Sequence, residues 1–318
     1  MLIDNYGRSI DYLRVSITDR CNLRCIYCMP AKGVPWKSHE NILSYEEIIR
    51  IVKLITGIGI KYIKVTGGEP LLRKGAPLFL KNLKTIAGIE KVTLTTNGIL
   101  LDTYLDEIEI DAINISLDTL NSERYKRITR CESADIKMVL RLINRLLERQ
   151  ITVKINCVLM RNVNEQEIIP LVSLAKDKNI IVRFIELMPI GSTAGLQPVP
   201  GVEVMALIQE EFGALSPFAG ISGSGPAIYY CLDGFSGKIG FINAVTHDFC
   251  ETCNRLRLTS EGFLNSCLFN GSGLDLRKLL RNGAGDDEIV GIIAEFVKTK
   301  PRFHNFFEYR EEMSKIGG

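Results

Sequence analysis

The chain has 318 residues, 46% of them hydrophobic, enough to bury a large core either as one α/β domain or as a domain with an appendage. Lys and Arg total 39 against 37 Asp and Glu, a net charge of +2, so no global field recruits nucleic acid or an anionic membrane, and any anion site must be a local cluster. The first ten residues hold no apolar leader and no run approaches the roughly 18 apolar residues of a spanning helix, so a cytoplasmic protein is expected.

Residues 12–18 alternate Leu13, Val15 and Ile17 with Arg14, Ser16 and Thr18, a strand period. They feed directly into Cys21-x3-Cys25-x2-Cys28. Three thiols within one loop can wrap a single metal centre. Zinc wants a fourth ligand, and the nearest candidate, His39, lies beyond a Pro- and Gly-containing segment. An iron–sulfur cube normally takes four thiolates, so three would leave one iron open to an exchangeable ligand. A structural zinc site or a disulfide is the alternative for this triplet taken alone.

Ser44 and Glu47 form a capping box ahead of an apolar helical face that ends near Gly57. Residues 61–66 make the next strand, followed by Gly67-Gly68-Glu69-Pro70. The alternation continues with strands predicted at 91–95, 112–117, 152–159 and 180–186, and helices near 76–86, 101–107, 134–149 and 165–176. About six strand and helix repeats imply a parallel sheet with right-handed crossovers. From residue 188 the composition turns to Pro, Gly, Ser and Thr, a linker. A helix near 202–212 and short strands at 227–232 and 238–243 then suggest a smaller α+β extension. The expected division is 1–190 for the core and 191–318 for the extension.

Nine cysteines in an intracellular chain argue for metal or redox use over a disulfide framework. Six form two triplets, the second being Cys250, Cys253 and Cys267. The scattered Cys131, Cys157 and Cys231 are expected to pack in the core. The sober alternative for the second triplet is a zinc knuckle completed by His247. Against it stands Cys253-Asn-Arg255-Leu256-Arg257-Leu258, where strand alternation puts both arginines on one face. Arg favours bidentate contact with phosphate, and Arg14, Lys64, Lys154 and Arg183 stand on other strands. Inward-pointing cations in a covered parallel sheet need an anion, which a nucleoside triphosphate would supply. Ligand sites of such sheets lie at the C-terminal strand ends, where GGEP, Thr95-Thr96-Asn97-Gly98, Ser116-Leu117-Asp118 and Met188 all fall.

The C-x3-C-x2-C loop with GGEP resembles the radical S-adenosylmethionine enzymes. Adding LTTNG, the ISLD run, C-x2-C-x-R-x-R, C-x13-C and the terminal Gly317-Gly318, residues 8–318 resemble the MoaA-type GTP 3′,8-cyclases of molybdenum cofactor biosynthesis. The resemblance implies a partial (β/α)6 TIM-type barrel and two [4Fe-4S] clusters, on Cys21, Cys25 and Cys28 and on Cys250, Cys253 and Cys267. In that family the first cluster cleaves S-adenosylmethionine to a deoxyadenosyl radical that removes the ribose 3′ hydrogen of GTP, and ring closure at guanine C8 yields 3′,8-cyclo-7,8-dihydro-GTP. By the same resemblance Tyr27, Gly68, Ser116 and Met188 contact S-adenosylmethionine, and Arg14, Lys64, Thr95, Lys154, Arg255, Leu256 and Arg257 contact GTP. It makes Arg14, Arg255, Arg257, Gly317 and Gly318 the catalytic set. It further implies an external electron donor, a downstream cyclic pyranopterin monophosphate synthase of the MoaC type, no nucleic acid or membrane partner, and a monomer or homodimer. Lys64 stands where many members have Arg, and Gly75 where an acidic residue usually follows the basic pair Arg73-Lys74. The rival readings are a peptide-modifying radical enzyme with an auxiliary cluster and a non-catalytic iron–sulfur or zinc-binding protein.

Overall fold

A computed structural model describes residues 1–35, 37–220, 224–269 and 273–304. The six predicted strands form in sequence order, each parallel to the last: β1 (Tyr12–Ser16), β2 (Tyr62–Thr66), β3 (Lys91–Thr96), β4 (Ala112–Ser116), β5 (Thr152–Leu159) and β6 (Ile181–Glu186). The crossovers carry α1 (Tyr45–Gly57), α2 (Ala76–Lys84), α3 (Ser122–Thr129), α4 (Ile136–Glu148) and α5 (Ile168–Ser173). The capping box of α1 is present, with Ser44 and Glu47 each accepting from the other's backbone N–H.

Two predicted helices are shorter than expected. Residues 101–107 form a single 3-10 turn, Leu101–Tyr104. The segment 165–176 divides into a turn at Glu165–Glu167 and then α5, because Pro170 lacks an N–H and is tolerated only in a first turn. Three helices went unread in the sequence: α3, and after α6 (Gly201–Phe212) also α7 (Leu276–Arg281) and α8 (Asp286–Lys298). The signal in α8 was there, since Ile289, Ile293 and Val297 recur at i, i+4 and i+8 and are fully buried.

The strands after residue 190 extend the sheet at both edges. β9 (Lys238–Ile242) pairs in parallel with β6, and β10 (Arg255–Leu258) in parallel with β1. Short antiparallel strands finish each side: β7 (Ser216–Pro217) and β8 (Ile228–Cys231) beyond β9, β11 (Phe263–Asn265) and β12 (Leu274–Asp275) beyond β10. Side chains from strands right across this sheet line one cavity, which requires the sheet to curl into a partial barrel.

Along each strand the residues alternate. Leu13, Val15, Ile63, Val65, Ile113, Ile155, Val182, Leu256 and Leu258 are buried on the outer face in one apolar core with Ile48, Ile51, Val52, Ile55, Val139 and Leu146 of the helices. The inner face carries Arg14, Lys64, Thr95, Asn114, Ser116, Lys154, Asn156, Arg183, Arg255 and Arg257. Burial of the outer face holds the wall together, at roughly 1.5–3 kcal/mol per large apolar side chain, while the lumen stays polar. Cys157 lies on the outer face and is fully buried, as expected, whereas Cys131 and Cys231 are only half-buried, the first at the core's edge and the second at the end of β8.

Candidate active site

Register places cations side by side. Arg14 on β1 is directly opposite Arg257 on β10 and Lys64 on β2, and Asn156 on β5 is opposite Arg183 on β6. Like charges directly across a ladder are destabilising. Burial and the neighbouring charges of Arg255 and Arg183 hold Arg14 down to about 10, opposed by Tyr12. Lys154 falls to about 7 through burial, Arg183 and Lys91, and Lys64 and Arg257 are pushed well below their ordinary values by burial and by neighbouring cations. Several buried polar atoms have no hydrogen-bond partner among the described residues: Arg14 Nε, Thr95 Oγ1, Asn156 Oδ1, Arg183 Nε, Glu186 Oε1, Arg257 Nη1 and Ser266 Oγ. All of these residues line the cavity. Leaving each group unpaired costs roughly 1–3 kcal/mol, so the lumen is built for a polyanionic, hydrogen-bonding ligand.

Both cysteine triplets reach this cavity, which measures about 280 Å³: Cys21, Cys25 and Cys28 from the loop after β1, and Cys250, Cys253 and Cys267 from the turns around β10 and β11. All six are free thiols. Among the described residues no three His, Cys, Asp or Glu side chains close around a single ion. The predicted alternative ligand His247 is not among the residues lining the cavity; His304 is, with Nδ1 2.9 Å from Cys250 Sγ. The thiol of Cys253, though burial raises it, is drawn down to about 6 by Arg255 and Lys300, so it is readily a thiolate, the form that binds metal.

The first triplet is held by the turn that follows β2. Gly68 N–H donates to Thr18 O at 2.7 Å and Glu69 N–H to Arg20 O at 2.7 Å. A Cβ would stand 2.6 Å from Thr18 O at Gly67 and 2.3 Å from Arg20 O at Gly68. Only glycine lets these backbones meet. Glu69 is buried and accepts from Leu71 N–H at 3.1 Å, Thr96 Oγ1 at 2.8 Å and Asn97 N–H at 2.8 Å. Burial lifts its carboxyl to about 7 against those hydrogen bonds. The side chain of Asn97 then donates to Asn22 Oδ1 at 2.8 Å, inside the cysteine loop. Tyr27 donates to Asp118 Oδ2 at 2.8 Å, while Asp118 Oδ1 accepts from Val158 N–H at 2.8 Å.

The second triplet is anchored by two buried cations. Arg8, paired with Asp4 at 2.5 Å, donates to Cys250 O at 2.6 Å and to Pro301 O at 2.7 Å. Lys300 Nζ donates to Arg255 O at 2.9 Å and Ser266 O at 2.5 Å. Arg255 lies over the Phe249 ring at 4.5 Å, with Nη2 3.6 Å from Cys253 Sγ. Sequence reasoning singled out Glu69, Asn97, Asp118 and Glu186 only as members of strand-end motifs and passed over Arg8 and Lys300, because the partners that tie these side chains in place are far away in the chain.

Of the predicted site residues, Arg14, Tyr27, Lys64, Gly68, Thr95, Ser116, Met188, Arg255 and Arg257 line the cavity with the six cysteines. Lys154 lines an adjoining cavity that shares Lys64 and Arg183. Leu256 does not: it is fully buried on the outer face, so only its backbone can meet a ligand in the lumen. Gly317 and Gly318 lie outside the described residues. At Gly75 the φ is +84° at the start of α2, a conformation that favours glycine over the acidic residue.

Residues 15–175 match the radical SAM superfamily and residues 180–306 match Molybdenum Cofactor Synthesis C. The chain is 44% identical to a GTP 3′,8-cyclase of Clostridium perfringens, covering 99% of both chains, and 44% identical to one of Petrotoga mobilis, covering 100% of both. Among solved structures, Streptococcus suis SuiB bound to precursor peptide SuiA aligns with a TM-score of 0.61 at 16% identity over 91% of this chain and 68% of that one, a likeness of fold.

Proposed function

The chain belongs to the radical SAM superfamily and, within it, to the GTP 3′,8-cyclase family, and on that premise we propose how its own residues hold GTP for cyclisation to 3′,8-cyclo-7,8-dihydro-GTP in molybdenum cofactor biosynthesis. The enzyme uses S-adenosylmethionine and [4Fe-4S] clusters. The residues fit them: two sets of free thiols facing one cavity, and a glycine cradle beside the first set that a Cβ would fill. When bound, these groups supply one-electron cleavage chemistry at the first triplet and an open metal position at the second.

Cys21, Cys25 and Cys28 would hold the first cluster and Cys250, Cys253 and Cys267 the second. Gly68, Tyr27, Ser116 and Met188 contact S-adenosylmethionine at the C-terminal strand ends. Arg14, Lys64, Thr95, Lys154, Arg255 and Arg257 contact GTP, with Leu256 contributing backbone. The observation that carries this reading is the row Arg257–Arg14–Lys64 across three neighbouring strands, whose mutual repulsion a triphosphate would offset. Holding both substrates in one lumen supplies near-attack geometry and limits the access of water to the reacting atoms. A peptide-modifying enzyme would have no use for that row.

We divide the chain at about residue 190, the first part building the wall and the second closing its edges and bringing the second triplet. No helix among the described residues is long and apolar enough to cross a membrane, and we place the protein in the cytoplasm as a monomer or homodimer. An external reductant and a MoaC-type cyclic pyranopterin monophosphate synthase are its proposed partners. The test is to incubate the reduced, cluster-loaded protein with S-adenosylmethionine and each nucleoside triphosphate. Formation of 5′-deoxyadenosine and a cyclised purine with GTP alone is expected; cyclised product from no nucleotide would overturn the reading.

A further inference from the structure

The lumen has a second opening, at the N-terminal ends of the parallel strands, away from the first triplet and lined by no cysteine. A cavity of about 790 Å³ lies there, reached by Lys91 at the start of β3, Lys238 at the start of β9 and Lys178 ahead of β6. It shares Tyr12, Lys64, Arg183 and Gly225 with the cysteine-lined cavity. One layer of side chains is therefore common to both.

This opening is strongly cationic in a chain of net charge only +2. Lys64, Lys91, Lys154, Lys178, Arg183 and Lys238 line it against two acids, Asp111 and Asp177. Asp111 is already engaged, accepting from Lys84 at 2.9 Å and from Val92 N–H at 2.7 Å. No ion pair among the described residues involves Lys64, Lys91, Arg183 or Lys238. At the mouth itself Lys238 stands over the Phe218 ring at 4.6 Å. A π face orients an ammonium without neutralising it, so the charge stays available to an incoming anion.

We propose that the N-terminal mouth of the barrel is an outer phosphate site, where the phosphate chain of a nucleoside triphosphate is captured through Lys91 and Lys238 and handed along Lys154 and Arg183 to the inner row of Lys64, Arg14 and Arg257. The inner end of this path rests on the reading of the lumen as the GTP site. Clefts lined by one sign of charge focus the field and raise association rates by about 10- to 1,000-fold, with strong dependence on ionic strength.

The experiment compares cluster-loaded wild type with Lys91→Glu/Lys238→Glu, and with Lys53→Glu/Lys137→Glu as a control of equal charge change on exposed helix positions. Association of GTP is followed by stopped flow across a salt series, and equilibrium binding of inorganic tripolyphosphate by calorimetry. At low salt the mouth variant should associate with GTP about tenfold more slowly, converging with wild type at high salt, and should bind tripolyphosphate about tenfold more weakly. S-adenosylmethionine affinity should not change. Equal rates and affinities in mouth variant and wild type, or an equal loss in the control, overturn the proposal. Tripolyphosphate needs no guanine site, so its binding judges the mouth even if wild type fails to bind GTP, a result that would count only against the assigned function.

Discussion

Arg14 shows how a residue can be costly to the fold and necessary to the ligand. Flanked by Arg257 and Lys64 and left with an unpartnered Nε, it weakens the empty protein, since cross-strand pairs are worth about 0.2–1 kcal/mol. Arg14→Met is therefore expected to leave the ligand-free melting temperature unchanged or raised while weakening GTP binding by about tenfold or more; a drop in both would mean that Arg14 serves packing alone. Lys154 gives the pH dependence. Its ammonium in the free protein is lost near pH 7, against 10.5 ordinarily, and a bound triphosphate would restore the higher value. GTP binding at pH 8 should accordingly take up protons, and affinity should fall as pH rises above 7. Calorimetry in buffers of different ionisation enthalpy measures that uptake, and its absence would remove Lys154 from the phosphate path. The sign for folding is opposite: the cost of a buried charge is present in full below pH 7 and fades as the pH rises toward 10.5.

At the scale of elements, the turns after β2 and β3 form one unit with the cysteine loop through Glu69 and Asn97. Glu69→Gln replaces one acceptor oxygen by a donor amide among three donors, a loss of about 1–3 kcal/mol. The variant should keep its second cluster and lose iron from the first; electron paramagnetic resonance of the reduced protein distinguishes the two, and full retention at both would leave Glu69 without an organising role. Much of this level was legible beforehand. Strand alternation in residues 12–18 and 253–258 correctly predicted which side chains face the lumen, because a period of two needs no tertiary information. The ties made by Glu69, Asp118, Arg8 and Lys300 were not legible, since each joins segments distant in sequence. Likewise α5 came out shorter than its periodicity implied because Pro170 restricts where the helix can begin. Leu256 was assigned to GTP from a resemblance, and its own alternation with Arg255 and Arg257 already pointed it away.

For the whole molecule, the two thiol triplets belong to neighbouring strands, the first following the C-terminal end of β1 and the second set at the N-terminal end of β10, and they face one cavity from its two ends. Reconstituted protein should therefore bind about eight irons per chain, and Cys250→Ala/Cys253→Ala/Cys267→Ala about four, with S-adenosylmethionine still bound and GTP affinity lowered. Four irons in the unmodified protein would dissolve the two-centre arrangement.

The pairing of β9 with β6 and of β10 with β1 also bears on how the chain comes off the ribosome. The first six strands emerge with both outer borders bare, and unpaired borders invite association with other chains. Their own seals are synthesised last, one for each border. A nascent chain paused near residue 190 is thus expected to depend on chaperones, and release of the remaining chain would end that dependence as it shapes the reaction chamber.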